Sequence, residues 1–393
     1  MTLTARIAYV GPNRQMYAMN RPGDAPVCLT GGTLDIAFAS WGASAPVEGL
    51  HSWPTWSPSG DRIACFRIGE DGRSGARVVV AHADGIQSSE LATLDAQIPI
   101  YLQWSPNGEN LAVLCQKDDQ LRLIHVPAGG AGGDQRRHIS GSPLFFTWTT
   151  DDAIAAFAGS SGEGQHAQMV LIDPADGERR LLPGTPCNFC APVWTGNHLI
   201  YAAHHRKRVS ILLADLNQMT VRELEVIDGL AALVAAPNGR TLARALADDD
   251  RSPYKSLALI DLDSGALRTV VELDCTAFFW LPNSNGLVAA QTDSRTGTVS
   301  WLRVDLDGVV THLIDVKPTR DTRFYLRFFE QYSHSHPMID PTGRFLLTAG
   351  QLEGMSDDGR PRLWQIPLKG GAPEDLGEGL FGVYGPAIED SSR

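Results

Sequence analysis

The chain contains 393 residues, of which 43% are apolar and 20% charged, and its formal net charge is −12. This composition is typical of a folded protein and excludes a disordered chain, while the acidic balance argues against nucleic acid or a membrane surface as partner. No apolar run approaches the roughly 18 residues of a transmembrane helix. Because the N-terminus also lacks a basic and then apolar leader pattern, we expect a cytoplasmic protein.

The chain begins with two short alternating segments, residues 6–10 and 15–19, which predict β-strands. From residue 50 onwards one phrase recurs: an aromatic or apolar pair, a turn with Pro-x-Gly or Asn-Gly, and an alternating apolar strand. The clearest copies are Trp56-Ser57-Pro58-Ser59-Gly60 and Trp104-Ser105-Pro106-Asn107-Gly108. Each copy is followed by a second, a third and a short polar fourth strand pattern, so each unit predicts four strands.

Aligning the copies on Trp56 gives the spacing of the units. The equivalent anchors are Trp104, Trp148, Trp194, Ala235, Trp280 and Ile339, separated in turn by 48, 44, 46, 41, 45 and 59 residues. A period of roughly 40 to 50 residues with four strands per unit is typical of a β-propeller blade. We predict that the Trp anchors pack between neighbouring sheets and do not form a ligand cage.

The two chain ends complement each other. The N-terminal strands resemble the second and third strands of a unit whose first strand is missing, and a spare strand pattern occurs at residues 381–388. Pairing these ends would remove two exposed sheet edges. We therefore predict an all-β fold: a single β-propeller domain over residues 1–393, closed by its termini. We expect eight four-stranded blades, with seven as the alternative, and very little helix.

The segment before the last anchor combines metal-ligand residue types. Alternate residues of an extended strand point the same way, so His334 and His336 would aim two imidazoles at one side. Gln331 could add a carbonyl oxygen, and such a set suits Mn²⁺, Fe²⁺ or Zn²⁺. The alternative is that these histidines hydrogen-bond to neighbouring loops. His51 occupies the position equivalent to His334 in the first complete unit.

Basic side chains follow three successive second strands, in loops that we expect on the same face as His334. His204, His205, Arg206 and Lys207 follow one strand, and Arg251 and Arg295 follow the next two. In an acidic protein, such a group could hold a carboxylate that the overall field would repel. The alternative is that they are solvated loop charges.

Two resemblances to known families follow from these motifs. The repeated Trp-Ser-Pro phrase resembles the TolB-type propeller repeat, over nearly the whole chain. Gln331-x-x-His334-x-His336-Pro337 resembles the metal-binding segment of the oligogalacturonate lyases, which are cytoplasmic propeller enzymes. That resemblance implies that the Gln and both His bind a divalent ion, typically Mn²⁺, with a third His from an earlier blade. It also implies that the metal holds a uronate carboxylate while another His removes the adjacent proton, so that β-elimination follows.

The sequence departs from the lyase pattern at two positions, that of the third metal ligand and that of the base. Asp274 and Cys275 occupy the position where the third His is expected, and either could replace it, because both ionise and bind divalent metals. His51 could also contribute from across the channel. His204 and His205 are the available bases.

Two functions from different classes are therefore open. The leading interpretation is a metal-dependent, oligogalacturonate-lyase-like enzyme that acts by β-elimination or isomerisation on a small carboxylated or polar substrate, sugar-derived substrates included. Its substrate-binding groups would be Arg206, Lys207, Arg251 and Arg295. The alternative is a non-catalytic propeller that binds a protein partner or another ligand.

Overall fold

The computed structural model describes residues 3–30, 49–69, 75–129, 135–160, 166–187, 190–249, 252–353 and 359–389. Within these ranges the strands form seven antiparallel sheets. The first sheet joins the two ends of the chain, in the order β3-β2-β1-β32. Its strands are β1 (Leu3–Val10), β2 (Met16–Met19), β3 (Val27–Cys28) and β32 (Phe381–Glu389).

The next three sheets are meanders of four consecutive strands. The second contains β4 (Leu50–Trp56), β5 (Arg62–Ile68), β6 (Ala76–His82) and β7 (Ser88–Leu94). The third contains β8 (Ile98–Trp104), β9 (Asn110–Lys117), β10 (Gln120–Pro127) and β11 (Arg136–Gly141). The fourth contains β12 (Leu144–Trp148), β13 (Ile154–Ala158), β14 (Gln168–Ile172) and β15 (Arg179–Leu181).

The remaining sheets continue in chain order. The fifth contains β16 (Thr185–Pro186), β17 (Val193–Thr195), β18 (His198–His205), β19 (Arg208–Asp215) and β20 (Thr220–Val226). The sixth contains β21 (Leu230–Ala235), β22 (Thr241–Ala247), β23 (Lys255–Asp261) and β24 (Leu267–Val271). The seventh contains β25 (Ala277–Trp280), β26 (Gly286–Thr292), β27 (Val299–Asp305), β28 (Val310–Pro318), β29 (Phe345–Gln351), β30 (Arg362–Pro367) and β31 (Glu374–Glu378).

The predicted β-propeller is confirmed, but its last unit differs from the expected four-stranded blade. The seventh sheet contains two units, joined where Lys317 and Pro318 of β28 pair with β29. In the second of these, Ile339, the predicted anchor, forms a single β-bridge with Leu346 in place of a regular first strand. The eight sequence units thus form seven sheets in the described part of the chain.

Closure by the two termini is also confirmed. β1 pairs antiparallel with β32, and Ile7 lies opposite Tyr384 and Val10 opposite Phe381. The inward side chains of β32 are fully buried, so this strand contributes both ladder hydrogen bonds and core.

The Trp anchors link neighbouring sheets. Trp56, Trp104, Trp148 and Trp280 are buried. Three of the indoles donate a hydrogen bond to the residue directly before the anchor of the previous unit. These bonds are Trp104 Nε1 to Thr55 O (3.1 Å), Trp148 Nε1 to Gln103 O (3.3 Å) and Trp280 Nε1 to Val234 O (3.0 Å). The Trp anchors therefore pack between neighbouring sheets and hold them together, as predicted.

We expect Trp104→Phe to lower the free energy of unfolding by about 1 kcal/mol more than Trp56→Phe, because it removes a buried hydrogen bond. The two indoles are similarly buried, but Trp56 Nε1 has no hydrogen-bond partner among the described residues. Denaturant titration of both variants measures the difference. Equal losses would mean that packing alone explains the anchors.

The turns between first and second strands form a ring at one end of the propeller, which we call the turn face. The glycine of the repeated phrase has a positive φ in each clear copy, +72° at Gly60 and +71° at Gly108, which explains its use there. Neighbouring turns contact each other: the backbone N–H of Asn107 donates to Asp152 at 3.1 Å. At the opposite end, which we call the hairpin face, the first strands begin and the second and third strands are joined.

The expectation of very little helix is confirmed for the described residues, in which helix occurs at one place. Helices α1 (Arg320–Arg327) and α2 (Phe329–Tyr332) lie between β28 and the last anchor. Neither approaches the length and hydrophobicity of a membrane span, and the same holds for every helix in the described ranges.

Candidate functional site

The helices belong to a segment, residues 319–337, that enters the centre of the propeller; we call it the channel segment. Thr319 caps α1, because its side-chain oxygen accepts the Thr322 backbone N–H at 3.1 Å. Asp321 in the first turn and Arg327 in the last turn complement the helix dipole. Phe328 leaves helical geometry, at φ −120° and ψ 28°, and so separates α1 from α2.

Hydrogen bonds attach the channel segment to several sheets. Its polar side chains and carbonyls bond to residues in first strands and in loops between strands. The bonds on one side are Thr55 Oγ1 to Ser335 O (2.8 Å), Tyr101 Oη with Ser335 Oγ (2.7 Å) and Tyr332 Oη to Ile100 O (2.5 Å). On the other side, Glu330 accepts from Ala191 N (3.1 Å) and from Tyr254 Oη (3.2 Å). The segment is therefore built into the propeller core.

Aromatic side chains fill the channel around His336. The rings of Trp53, Tyr101, Tyr332 and Phe381 lie with their centroids between 5.2 and 6.3 Å from the imidazole. His336 is fully buried, and this desolvation lowers its pKa to about 3. The channel at this depth is packed with side chains and holds a neutral imidazole.

A cavity of about 750 Å³ opens beside the channel segment on the hairpin face; we call it the mouth cleft. Its apolar walls come from β8, from the start of β12 and from α1 and α2, with Ile98 63% exposed and Phe324 39% exposed. Trp53 lines it too, with a φ of +57° at a bulge in β4. A bulky residue seldom adopts this backbone conformation, and strain of this kind is concentrated at functional sites.

Charged side chains of both signs line the mouth cleft, and helix α1 carries three arginines beside it. Arg320, Arg323 and Arg327 are exposed on α1, and none of them forms an ion pair with a described residue. Arg14 also lines the cleft, but it is neutralised by Asp321 at 2.7 Å. Asp119 lines the cleft as well. The cleft thus combines an apolar floor with charged groups of both signs, among which Arg320 has no ion-pair partner in the described part of the chain.

The structure does not arrange Gln331, His334 and His336 around one point. The Gln331 amide bonds to both backbone groups of Phe146, accepting from N at 3.0 Å and donating to O at 2.7 Å. His336 Nδ1 lies 2.7 Å from Ser335 Oγ inside the aromatic packing, whereas His334 is exposed. The expected extended strand is wrong here, because α2 and the turn after it point these three side chains in different directions.

The other predicted ligands lie elsewhere. His334 lies at the turn face, in cavities lined by Trp56, Trp104 and Pro282. His51 lies near the start of β4 at the hairpin face, where burial lowers its pKa to about 4. Burial raises the pKa of Cys275 to about 12, and the adjacent Asp274 is exposed. Among the described residues, no three His, Cys, Asp or Glu side chains are grouped as a metal site. A bound metal therefore does not fit this arrangement of donors.

The predicted basic loop is a tight hairpin, in which Arg206 and Lys207 have φ values of +47° and +66°. It joins β18 to β19 at the hairpin face, so His204, His205, Arg206 and Lys207 lie at the opposite end from His334. Arg295 is 90% exposed near Asp293, in the hairpin between β26 and β27. Arg251 lies outside the described residues. The expectation that these groups share a face with His334 is corrected, and their roles in catalysis and binding stay predictions.

The sequence contained a signal for the channel segment that the strand interpretation missed. The last anchor spacing is 59 residues, against 41 to 48 for the others. Within the extra length, arginines at positions 320, 323 and 327 follow helical spacing, and Thr319 is a preferred N-cap residue. These features together indicate an inserted helix.

Comparison with known proteins identifies the fold. No protein-family model matches the chain, and no curated protein matches it. An oligogalacturonate lyase in complex with manganese is 12% identical, with a TM-score of 0.54 over 94% of this chain and 97% of that one. A eukaryotic initiation factor is 12% identical, with a TM-score of 0.50 over 98% of both chains. TolB from Acinetobacter baumannii is 14% identical, with a TM-score of 0.42 over 75% of this chain and 74% of that one. The predicted resemblance to the oligogalacturonate-lyase propellers is confirmed as a likeness of fold, and TolB is also among the structurally similar proteins.

Proposed function

We propose that the protein is a non-catalytic propeller module that binds a small amphipathic anion in the mouth cleft. The observation that carries the proposal is the combination of a 750 Å³ apolar cavity with Arg320 at its edge, which has no ion-pair partner among the described residues. Ligand pockets typically have volumes of roughly 300 to 1,000 Å³ and apolar walls with a few placed polar groups. An apolar body would occupy the cleft, and an acidic group would meet the α1 arginines.

Exposure of the apolar side chains supports this proposal. Ile98 and Phe324 expose 63% and 39% of their surfaces, next to the more buried rings of Phe328 and Tyr332. Covering such side chains is worth about 25 cal/mol for each Å² removed from water. The hydrogen bonds that hold the channel segment in place preform the cleft, so little ordering entropy opposes binding.

Fluorescence titration with 8-anilinonaphthalene-1-sulfonate, an apolar anion, tests the proposal, with dodecanoate as a competitor. We expect saturable binding that Ile98→Asp and Arg320→Glu each weaken about tenfold or more, since each removes a contact worth at least about 1.4 kcal/mol. The matched controls are Ile86→Asp and Arg295→Glu, two exposed residues outside the cleft. Equal affinity in all four variants would contradict binding in the mouth cleft.

The competing interpretation is a metal-dependent lyase, which is supported by the resemblance of residues 331–337 to the lyase segment. It requires Gln331 to exchange its two bonds to Phe146 for a metal ion. Elemental analysis of protein purified without chelators separates the two functions. We expect less than one tenth of an equivalent of Mn, Zn or Fe, also after incubation with each ion. A stoichiometry near one that is lost in His334→Ala would favour the enzyme and count against the binding module.

A further inference from the structure

A second cavity, of about 560 Å³, lies between the third and fourth sheets, outside the channel; we call it the outer cleft. Strands β10 and β11 form one wall, and β14 and β15 with the end of β13 form the other. Its charged and titratable lining among the described residues is entirely basic: Arg122, Arg137, Arg179, His138 and His166. The proposed function does not use this cleft.

Several of these groups have no partner in the described part of the chain. Arg122 Nε and His138 Nε2 are buried without a hydrogen-bond partner, and His138 is only 2% exposed. None of the three guanidinium groups forms an ion pair with a described residue. The neighbouring Arg136, by contrast, donates to the Ala175 carbonyl. A buried polar group without a partner costs roughly 1 to 3 kcal/mol, so a ligand that satisfies these groups would gain that energy.

The local field in the cleft is positive. The pKa of His138 is lowered to about 4, chiefly by burial. The neighbouring His125, Arg136 and Arg179 lower it further, and Asp173 opposes them. The imidazole is therefore neutral near pH 7, and the positive charge is on the guanidinium groups. Such a concentration of charge in a protein of net charge −12 attracts an anion locally.

We propose that the outer cleft binds a phosphate-bearing small molecule. Guanidinium groups bind phosphate oxygens through paired, charge-assisted hydrogen bonds, and three of them match a group that carries about two negative charges. A single carboxylate would leave two guanidiniums uncompensated. His138 Nε2, the Gln168 amide and the Ser140 hydroxyl can meet further oxygens. The volume exceeds that of a phosphate ion, so the cleft has room for an organic part of the ligand.

Isothermal titration of the full chain with inorganic pyrophosphate, at constant ionic strength and pH 7.5, tests the proposal. We expect saturable binding at one site, weakened about tenfold or more in Arg122→Gln and in Arg179→Gln. Arg179 is exposed on β15, so its replacement should leave the fold intact. The matched control is Arg180→Gln, which removes a charge from the same strand but not from the cleft. Its affinity should equal that of the unaltered protein.

Citrate, which has a similar charge but planar carboxylates, provides the second arm of the experiment. Weaker binding of citrate than of pyrophosphate supports a phosphate ligand, and tighter binding of citrate overturns that assignment. The proposal also fails if pyrophosphate gives no saturable heat, or if Arg180→Gln weakens binding as much as Arg179→Gln. Because the dye titration of the mouth cleft uses different residues, either proposal can fail without the other.

Discussion

A chain that lacks residues 380–393 should lose most of its folding stability. The deletion removes β32, whose Phe381, Val383 and Tyr384 are at most 1% exposed, together with its ladder to β1. Burial of each of these side chains contributes about 2 kcal/mol, and whole domains are stable by only about 5 to 15 kcal/mol. The deletion also exposes the edge of β1, which favours aggregation.

Thermal unfolding and solubility of the truncated chain measure this effect. Deletion of residues 390–393 alone, which leaves β32 intact, is the matched control and should change neither. A synthetic peptide of residues 380–393 should restore cooperative unfolding if the missing strand is the cause. A truncated chain with an unchanged Tm would show that closure by β32 contributes little.

A milder variant of the same strand is Tyr384→Phe. It should lose only the hydrogen bond from Gln365 Nε2 to Tyr384 Oη at 2.9 Å, which lowers the free energy of unfolding by about 1 kcal/mol.

The repeat made the propeller predictable because every unit solves the same packing problem locally. In the clear copies a Trp at the end of the first strand packs between sheets, and the glycine four residues later makes the turn. Trp104 and Gly108 illustrate both: the indole bonds to Thr55 and the glycine adopts a φ of +71°. Closure followed from counting strands at the two chain ends, since an unpaired edge is unfavourable in any sequence.

The channel segment could not be predicted from the repeat. Its residues do not repeat, and its aromatic side chains suit a strand as well as a buried helix. The difference decides the site: on a strand, His334 and His336 would share a side, but after α2 one faces solvent and the other is packed against Tyr332. The lyase-like spacing of Gln331, His334 and His336 is therefore present in the sequence, but in the structure the three side chains do not point to one place.

Both clefts depend on contacts between units, which a single sequence does not display. The arginines of the outer cleft come from β10, β11 and β15 in two neighbouring sheets, and each looks like an ordinary solvated charge in the sequence. Ile98 in the mouth cleft likewise reads as a normal strand residue until α1 is seen beside it. The structural sign of the outer cleft is that none of its three arginines has an ion-pair partner among the described residues, and Arg320 in the mouth cleft has none there either.

Glu330→Gln should stabilise the protein at alkaline pH. Glu330 is buried in the channel segment, and desolvation raises the pKa of its carboxyl from the ordinary 4.5 to about 8. The folded state therefore binds a proton more tightly than the unfolded state. The stability that this provides is fully present below pH 4.5 and is lost as the pH rises through about 8. A glutamine avoids that loss, because it cannot ionise.

The substitution also preserves the contacts of the side chain. The Ala191 N–H can donate to the glutamine oxygen, and the amide nitrogen can donate to Tyr254 Oη, which accepts as well as donates. Between pH 5 and 8 the stability of the variant should therefore rise relative to the unaltered protein, by at most about 1.4 kcal/mol for each pH unit. Denaturant titrations at each pH measure the difference, with the exposed Glu109→Gln as the matched control. A difference that does not change with pH would mean that Glu330 is ionised in the folded channel, stabilised there by its two hydrogen bonds.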